Sequence, residues 1–322
     1  MNKAIDNRIP ALIRFASAIT LLNIVGHLYL GFEQSYSHVV VALGTAYFVE
    51  LLMETLVASN ENRKPAYLGG IKNFILFLLP GHISALAVGM LTFTNTNLLL
   101  VSFGVAAALL SKYIFRIKIN GKDKHFLNPS NTGIVALFVI FPSVGSAPPY
   151  QFSEATSGYW DWFLILVFVS LGSFLNTKFT KKMPLIFAWL IGFFLQTVIR
   201  TTIFDTATIA SLGTMSGVAF LLFTFYMVSD PATTPFKFKN QIYFGAGVAF
   251  TYGILMAFHV VFGLFFSLFA VCSIRGAYLW ITNRQKQEIK HPININSYSN
   301  NGELMKEVVY TEDMPKILEN NY

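Results

Sequence analysis

Two segments set an amide or carboxylate side chain against a proline and follow it with hydroxyls. They are Asn128-Pro129-Ser130-Asn131-Thr132-Gly133 and Ser229-Asp230-Pro231-Ala232-Thr233-Thr234-Pro235. Asn or Asp before proline ends one helix and can cap the next. The hydroxyls and amides that follow can hydrogen-bond the backbone groups such a break sets free. Two helix N-termini aimed at one place would attract an anion such as a phosphate. The plainer alternative is a pair of ordinary capped junctions between loop and helix. Glu50 and Glu54 stand four residues apart, on one face of a helix, and His82 follows Pro80-Gly81 inside an apolar run. Together these three can line an ion path. The alternative is a hydrated Glu54 near a helix end and a structural His82.

What must position these groups is a membrane bundle. Hydrophobic residues make up 54% of the 322, charged residues 12%, and Phe occurs 32 times. Soluble domains carry about twice that share of charge. The apolar runs reach the roughly 20 residues that a lipid core requires. Ten spans are expected, at 9–32, 36–58, 70–93, 97–117, 132–144, 160–176, 184–199, 213–228, 242–257 and 260–282. The fifth is short, and hardly more than Phe258 and His259 separates the ninth from the tenth. The expected division is a transmembrane domain over 1–282 and a polar cytoplasmic tail over 283–322. That tail is expected to be largely disordered, with a short helix near 312–318 as an option. The first ten residues are polar and the next run is long enough to stay as a helix, so no cleavable leader is expected.

Charge orients the bundle. With the N-terminus inside, the inner segments hold Lys3, Arg8, Arg63, Lys64, Arg116, Lys118, Lys122, Lys124, Lys178, Lys181, Lys182, Lys237, Lys239, Arg284, Lys286 and Lys290. The outer segments hold Arg200 and almost nothing else basic. This alternation is the positive-inside pattern, and it places both termini in the cytoplasm and both proline segments on the inner side. It also explains the net charge of +7 without nucleic acid. Five spans per half give the halves opposite orientations, a parity that permits an inverted repeat.

The remaining polar residues have plain readings. His27, His82 and His259 lack metal-ligand spacing. Arg275 is expected to pair with a carboxylate or reach the interface, and Lys112 and Arg116 to snorkel or to hold a phosphate. Tyr159, Trp160 and Trp162 fit an interfacial aromatic belt or a stacking surface. Cys272 is the single cysteine, which excludes an intramolecular disulfide. Neither a Walker motif nor a dinucleotide fingerprint is present, so electrons would come from another polypeptide.

The two proline segments also carry a resemblance. Residues 126–144, with Asn128-Pro129, Gly133 and Phe141-Pro142, resemble the Asn-Pro segment of the RnfD and NqrB membrane subunits. Residues 226–247, with Ser229-Asp230-Pro231, Thr233-Thr234 and Phe244-Gly245, resemble their second signature, usually Thr-Asp-Pro. The likeness covers roughly residues 9–282. Within the family, 147–152 and 258–266 are most similar to the UnbU branch, labelled enediyne biosynthesis protein.

The resemblance implies an all-α, urea-transporter-like fold of about ten helices in two inverted halves. It implies a bacterial-type inner membrane and partner subunits. The function it implies is redox-driven, ion-coupled transport with FMN or riboflavin as the electron carrier. Asn128, Asn131, Asp230, Thr233 and Thr234 are then candidate flavin contacts at the inner mouth. In the family one FMN is attached through its phosphate to a Thr in an outer Asp-x-x-Ser-x-Ala-Thr setting. Here the loop reads Tyr150-Gln151-Phe152-Ser153-Glu154-Ala155-Thr156. Ser153, Ala155 and Thr156 match, Tyr150 replaces the Asp, and Glu154 places a negative charge beside the acceptor. A channel or transporter of the same fold without a redox cofactor is the alternative, and an accessory role in biosynthesis or export is a third reading. The chain is not expected to be an enzyme on its own.

Overall fold

The computed structural model describes residues 8–119, 122–147, 152, 155, 157–290, 294–298 and 304–308. In chain order the elements are α1 (Arg8–Val25), α2 (Tyr36–Asn60), α3 (Ile71–Leu91), β1 (Thr92–Phe93), α4 (Leu98–Ile114), β2 (Arg116–Ile119), β3 (Lys122–His125), α5 (Pro129–Ile140) and β4 (Gly145–Ser146). They continue as α6 (Tyr159–Leu175), α7 (Met183–Phe204), α8 (Thr208–Gly213), α9 (Val218–Leu222), α10 (Phe238–Ala257), α11 (Gly263–Lys290), β5 (Asn294–Tyr298) and β6 (Leu304–Val308).

The fold is all-α. Among the described residues, six helices are long and apolar enough to cross a membrane. The count is seven if the α8–α9 pair, bent by 63°, is taken as one span. The chain is a multi-pass membrane protein, and its outward surface agrees. Phe48 is 66% exposed and Phe250 70% exposed, on helices that bury small residues inside. In lipid, packing rather than water exclusion draws helices together, and small residues let backbones approach. Gly133 on α5 sits against the Gly104 carbonyl of α4, and Gly245 on α10 against the Leu185 carbonyl of α7. Around these contacts lie Ala42, Ala46, Ala85, Val105 and Ala108 on one side of the core. Trp189, Phe193, Phe220 and Phe223 fill the other. The Trp189 indole donates to Thr224 Oγ1 at 2.9 Å, satisfying its one polar group.

Local sequence explains the interruptions. α5 starts at Pro129 with Asn128 as its cap and ends after 12 residues, ahead of Phe141-Pro142. α3 runs through Pro80 as one helix, although proline is expected to kink it. α10 and α11 are joined by a tight turn with His259 (φ 57°) and Phe262 (φ 61°) in the left-handed region. α1 and α6 each end in a π turn, Gly26–Leu30 and Asn176–Thr180. Each π turn is followed by a left-handed residue, Gly31 (φ 80°) and Lys181 (φ 55°).

Short ladders tie the ends. β1 pairs antiparallel with β4, and β2 with β3 in a hairpin between α4 and α5. Two elements lie beyond residue 282. α11 continues to Lys290, and β5 pairs antiparallel with β6 in the tail. The polar composition of the tail outweighs the short Ile293-Asn294-Ile295-Asn296 alternation and the Asn301-Gly302 pair that mark such a hairpin in the sequence. Residues 312–318 lie outside the described residues.

A Cβ at position 133 or 245 would come within 2.3 Å of a backbone oxygen, which cannot swing away. Gly133→Ala and Gly245→Ala are each expected to cost about 1–3 kcal/mol as overpacking. The readout is a lower thermal midpoint of the detergent-purified chain. Gly44→Ala, which meets open space, leaves it unchanged.

Candidate functional site

The irregular stretch between α9 and α10 is held at one end of the bundle. Asn128 is the centre of that hold. Its Oδ1 accepts from the Asn131 backbone N at 3.0 Å and from Ser130 Oγ at 2.9 Å. Its Nδ2 donates to the Met227 carbonyl at 3.3 Å and to Asp230 Oδ2 at 3.4 Å. The two proline segments therefore meet. Asp230 also accepts from Thr233 Oγ1 at 2.9 Å and from the Ala232 backbone N at 3.1 Å, a local turn of the kind Asp forms before proline. Asn131 donates to the Phe265 carbonyl of α11 at 3.0 Å, and Thr132 back to the Asn128 carbonyl at 2.8 Å.

Two cations close this junction. Lys182, fully buried, donates to the Pro235 carbonyl at 2.7 Å and lies 4.2 Å from the centre of the Phe236 ring. Arg275 donates to the Thr233 carbonyl at 2.8 Å. Arg275 was expected to pair with a carboxylate or to reach the interface, and it meets a backbone oxygen of the junction. Proline and irregular backbone leave carbonyls without helical donors, and the guanidinium takes one. Gln241 bridges the Lys181 and Phe236 carbonyls. Burial pulls the Lys182 ammonium down to about 8, partly offset by the Asp230 charge. Burial likewise pushes His125 below its usual range, against the pull of Asp230. In the sequence Lys182 is one base of the inner cluster with Lys178 and Lys181, and nothing local marks His125, because the groups that face them lie far along the chain.

Of the candidate contacts, Asn128, Asn131, Asp230, Thr233 and Thr234 are brought together and hold one another. Ser153 and Thr156 lie outside the described residues. Beside the junction, between the β2–β3 hairpin and α11, an open cleft of about 290 Å³ is walled by Phe115, Phe126, Leu127 and Trp280, with Arg116 and Ser273 on it.

A second polar chain runs through α1–α4. Glu50 pairs with Lys112 of α4 at 2.9 Å, and its carboxylate lies against Gly81. Lys112 thus neither snorkels nor stands free. One turn from Glu50 on α2, the Tyr47 hydroxyl bonds His82 Nδ1 at 2.8 Å, while His82 Nε2 bonds Thr20 Oγ1 at 2.7 Å. Glu50 and His82 therefore approach the same Pro80-Gly81 segment. Glu54 does not join them. It takes Arg63 at 2.5 Å and the Ala66 backbone N at 2.7 Å, which braces the loop after α2 and raises the Arg63 pKa. His27 is tied to the Asn23 carbonyl at 2.8 Å. Among the described residues no cluster of His, Cys, Asp and Glu could hold a metal ion. Tyr159, Trp160 and Trp162 are exposed at the start of α6.

Comparison with family models finds no match, and no curated protein matches the chain.

Removing one partner of a buried ion pair strands the other, at about 3–5 kcal/mol, whereas removing both leaves no orphan charge. Lys112→Met or Glu50→Gln should each lower the thermal midpoint sharply, and Glu50→Leu with Lys112→Met should restore most of it. A separate outcome concerns pH. Below about 8 the buried Lys182 charge is present and its burial cost is felt in full. Between 8 and the usual 10.5 the unfolded chain holds the proton that the folded chain has released, so stability rises with pH. Across that window the wild-type midpoint should climb relative to Lys182→Met.

Proposed function

We propose that the chain is the membrane subunit of a flavin-linked electron-transport complex of the RnfD/NqrB type, with ion movement coupled through α2–α4. The observation that carries this reading is the Asn128–Asp230 contact at 3.4 Å. The two segments on which the resemblance rests, 102 residues apart, form one buried junction.

The ten-span count draws on six long helices, the bent α8–α9 pair, and α4, α5 and α10. The inverted halves are supported by parallel detail. α1 and α6 end in the same π turn and left-handed cap. α3 packs on α1 as α9 does on α6, and α2 packs on α4 as α7 does on α10. In this reading both termini face the cytoplasm of a bacterial-type inner membrane.

The cleft at Phe115, Phe126 and Trp280 suits a planar aromatic ring by size and apolarity, with Arg116 near enough to meet an anionic group. FMN or riboflavin held there would accept and pass on electrons, and the protein would bind and orient it. A partner polypeptide would deliver the electrons. Thr156 is the second candidate site. The channel or transporter reading is favoured by the loop itself, where Glu154 opposes a phosphate on Thr156. An accessory role in biosynthesis or export is the third.

The test is the visible spectrum of the chain purified from a host with the flavin transferase. A flavin band near one per chain is expected. Flavin held in the cleft is released on denaturation and lost in Trp280→Ala. Flavin on Thr156 stays fluorescent in the gel and is lost in Thr156→Ala. A colourless preparation that moves ions replaces this reading with the channel.

A further inference from the structure

Arg14 is a cation on the outward face of the bundle. On α1 the exposed residues Arg14, Ser17, Leu21 and Ile24 recur at helical spacing and form one stripe. Arg14 stands in the apolar span Ile9–Leu30, about 7 Å along the axis from Ile9 at the helical rise. A cation at that depth is costly in hydrocarbon unless it finds an anion or the interface. Among the described residues no carboxylate pairs with it.

Arg14 is held by a ring. Its guanidinium lies 4.3 Å from the centre of Phe179, in the π turn that ends α6. Phe179 meets Phe174 edge-on, with 5.9 Å between ring centres, and the Lys178 ammonium lies 5.5 Å from the centre of Phe174. The four side chains make a run of cation, ring, ring and cation across the seam where α1 starts and α6 ends. Arg14, Phe174 and Lys178 are all exposed. Lys178, like Arg14, has no carboxylate among the described residues. An aromatic face attracts a cation without neutralising it. The seam therefore presents two full positive charges, already gathered, beside apolar surface.

We propose that this seam binds the headgroup of an anionic phospholipid of the phosphatidylglycerol kind. Its phosphodiester carries one negative charge that both bases attract. The seam lies near the end of both spans, where headgroup phosphates meet hydrocarbon, and the exposed Leu21 of α1 and Leu171 of α6 offer apolar surface for the acyl chains. A zwitterionic headgroup brings an ammonium of its own, which the two bases repel. The positive-inside pattern puts the seam in the inner leaflet, the side where basic pockets meet anionic lipid. This assignment does not depend on a flavin.

The experiment titrates the delipidated full chain, in uncharged detergent, with phosphatidylglycerol or phosphatidylcholine. The first bound lipid is read by native mass spectrometry. Phosphatidylglycerol should bind at least about tenfold tighter, since each base near a headgroup contributes about fivefold. Arg14→Gln and Lys178→Gln should each lower its affinity about fivefold, with phosphatidylcholine and the thermal midpoint unchanged. Phe179→Leu keeps both charges but frees Arg14, and should lower the affinity severalfold. Lys239→Gln, at an exposed base on the same side but outside the seam, should leave it unchanged. Equal affinity for the two lipids overturns the proposal. So does a loss in Lys239→Gln as large as in Arg14→Gln, which marks general charge attraction. Wild-type affinity in both Arg14→Gln and Phe179→Leu overturns it too, as does displacement of the lipid by equimolar inorganic phosphate.

Discussion

In hydrocarbon no water is at hand for a backbone group that leaves a helix. The stretch from Val228 to Lys237 leaves one in the company of two prolines, and the packing around it answers that requirement. Lys182 takes the carbonyls of Thr234 and Pro235, Arg275 takes that of Thr233, and Asn128 takes that of Met227. These donors come from the α6–α7 turn, from α11 and from the cap of α5. Elements distant in sequence are thereby pinned to one irregular segment. The proline start of α5 and the left-handed Lys181 fit the same need, since they bring Asn128 and Lys182 to that point.

The charges obey a related rule. A cation in the bundle that met neither anion nor carbonyl would be expensive. Lys112 meets Glu50 between α4 and α2, next to the Gly81 backbone, where a side chain would not fit. Tyr47 and His82 extend polar contact from there toward Thr20 on α1. A polar thread of this kind in an otherwise apolar half is where ions or protons would be expected to move. Among the described residues Arg200 stands outside the rule, with no ion pair and no hydrogen bond at its Nε.

Much of this was legible in the residues. The apolar runs gave the helices. Asn128-Pro129 gave the start of α5, because a capping amide and an N1 proline act locally. The meeting of the two proline segments was readable as an option from their shared side. Other features were hidden because they depend on partners far along the chain. Glu50 and Lys112 are 62 positions apart, and no local pattern joins them. Arg275 had every reason to seek a carboxylate until the loop offered a bare carbonyl. The π turns have no compositional mark, and in the tail a polar composition masks the short Ile293-Asn294-Ile295-Asn296 alternation and the Asn301-Gly302 pair. Ser153 and Thr156 lie outside the described residues.

The most direct measurement is labelling of introduced cysteines, one per variant, in intact cells with a membrane-impermeant maleimide. Cys272 is fully buried and leaves little background. Ala210 and Lys237 are both exposed, one on the cleft that Arg200 lines and one beside the Lys182 junction. A multi-pass bundle with that junction at its inner end predicts that Ala210→Cys is labelled from outside and Lys237→Cys only after lysis. Labelling of both from outside, or the reverse pattern, would contradict it.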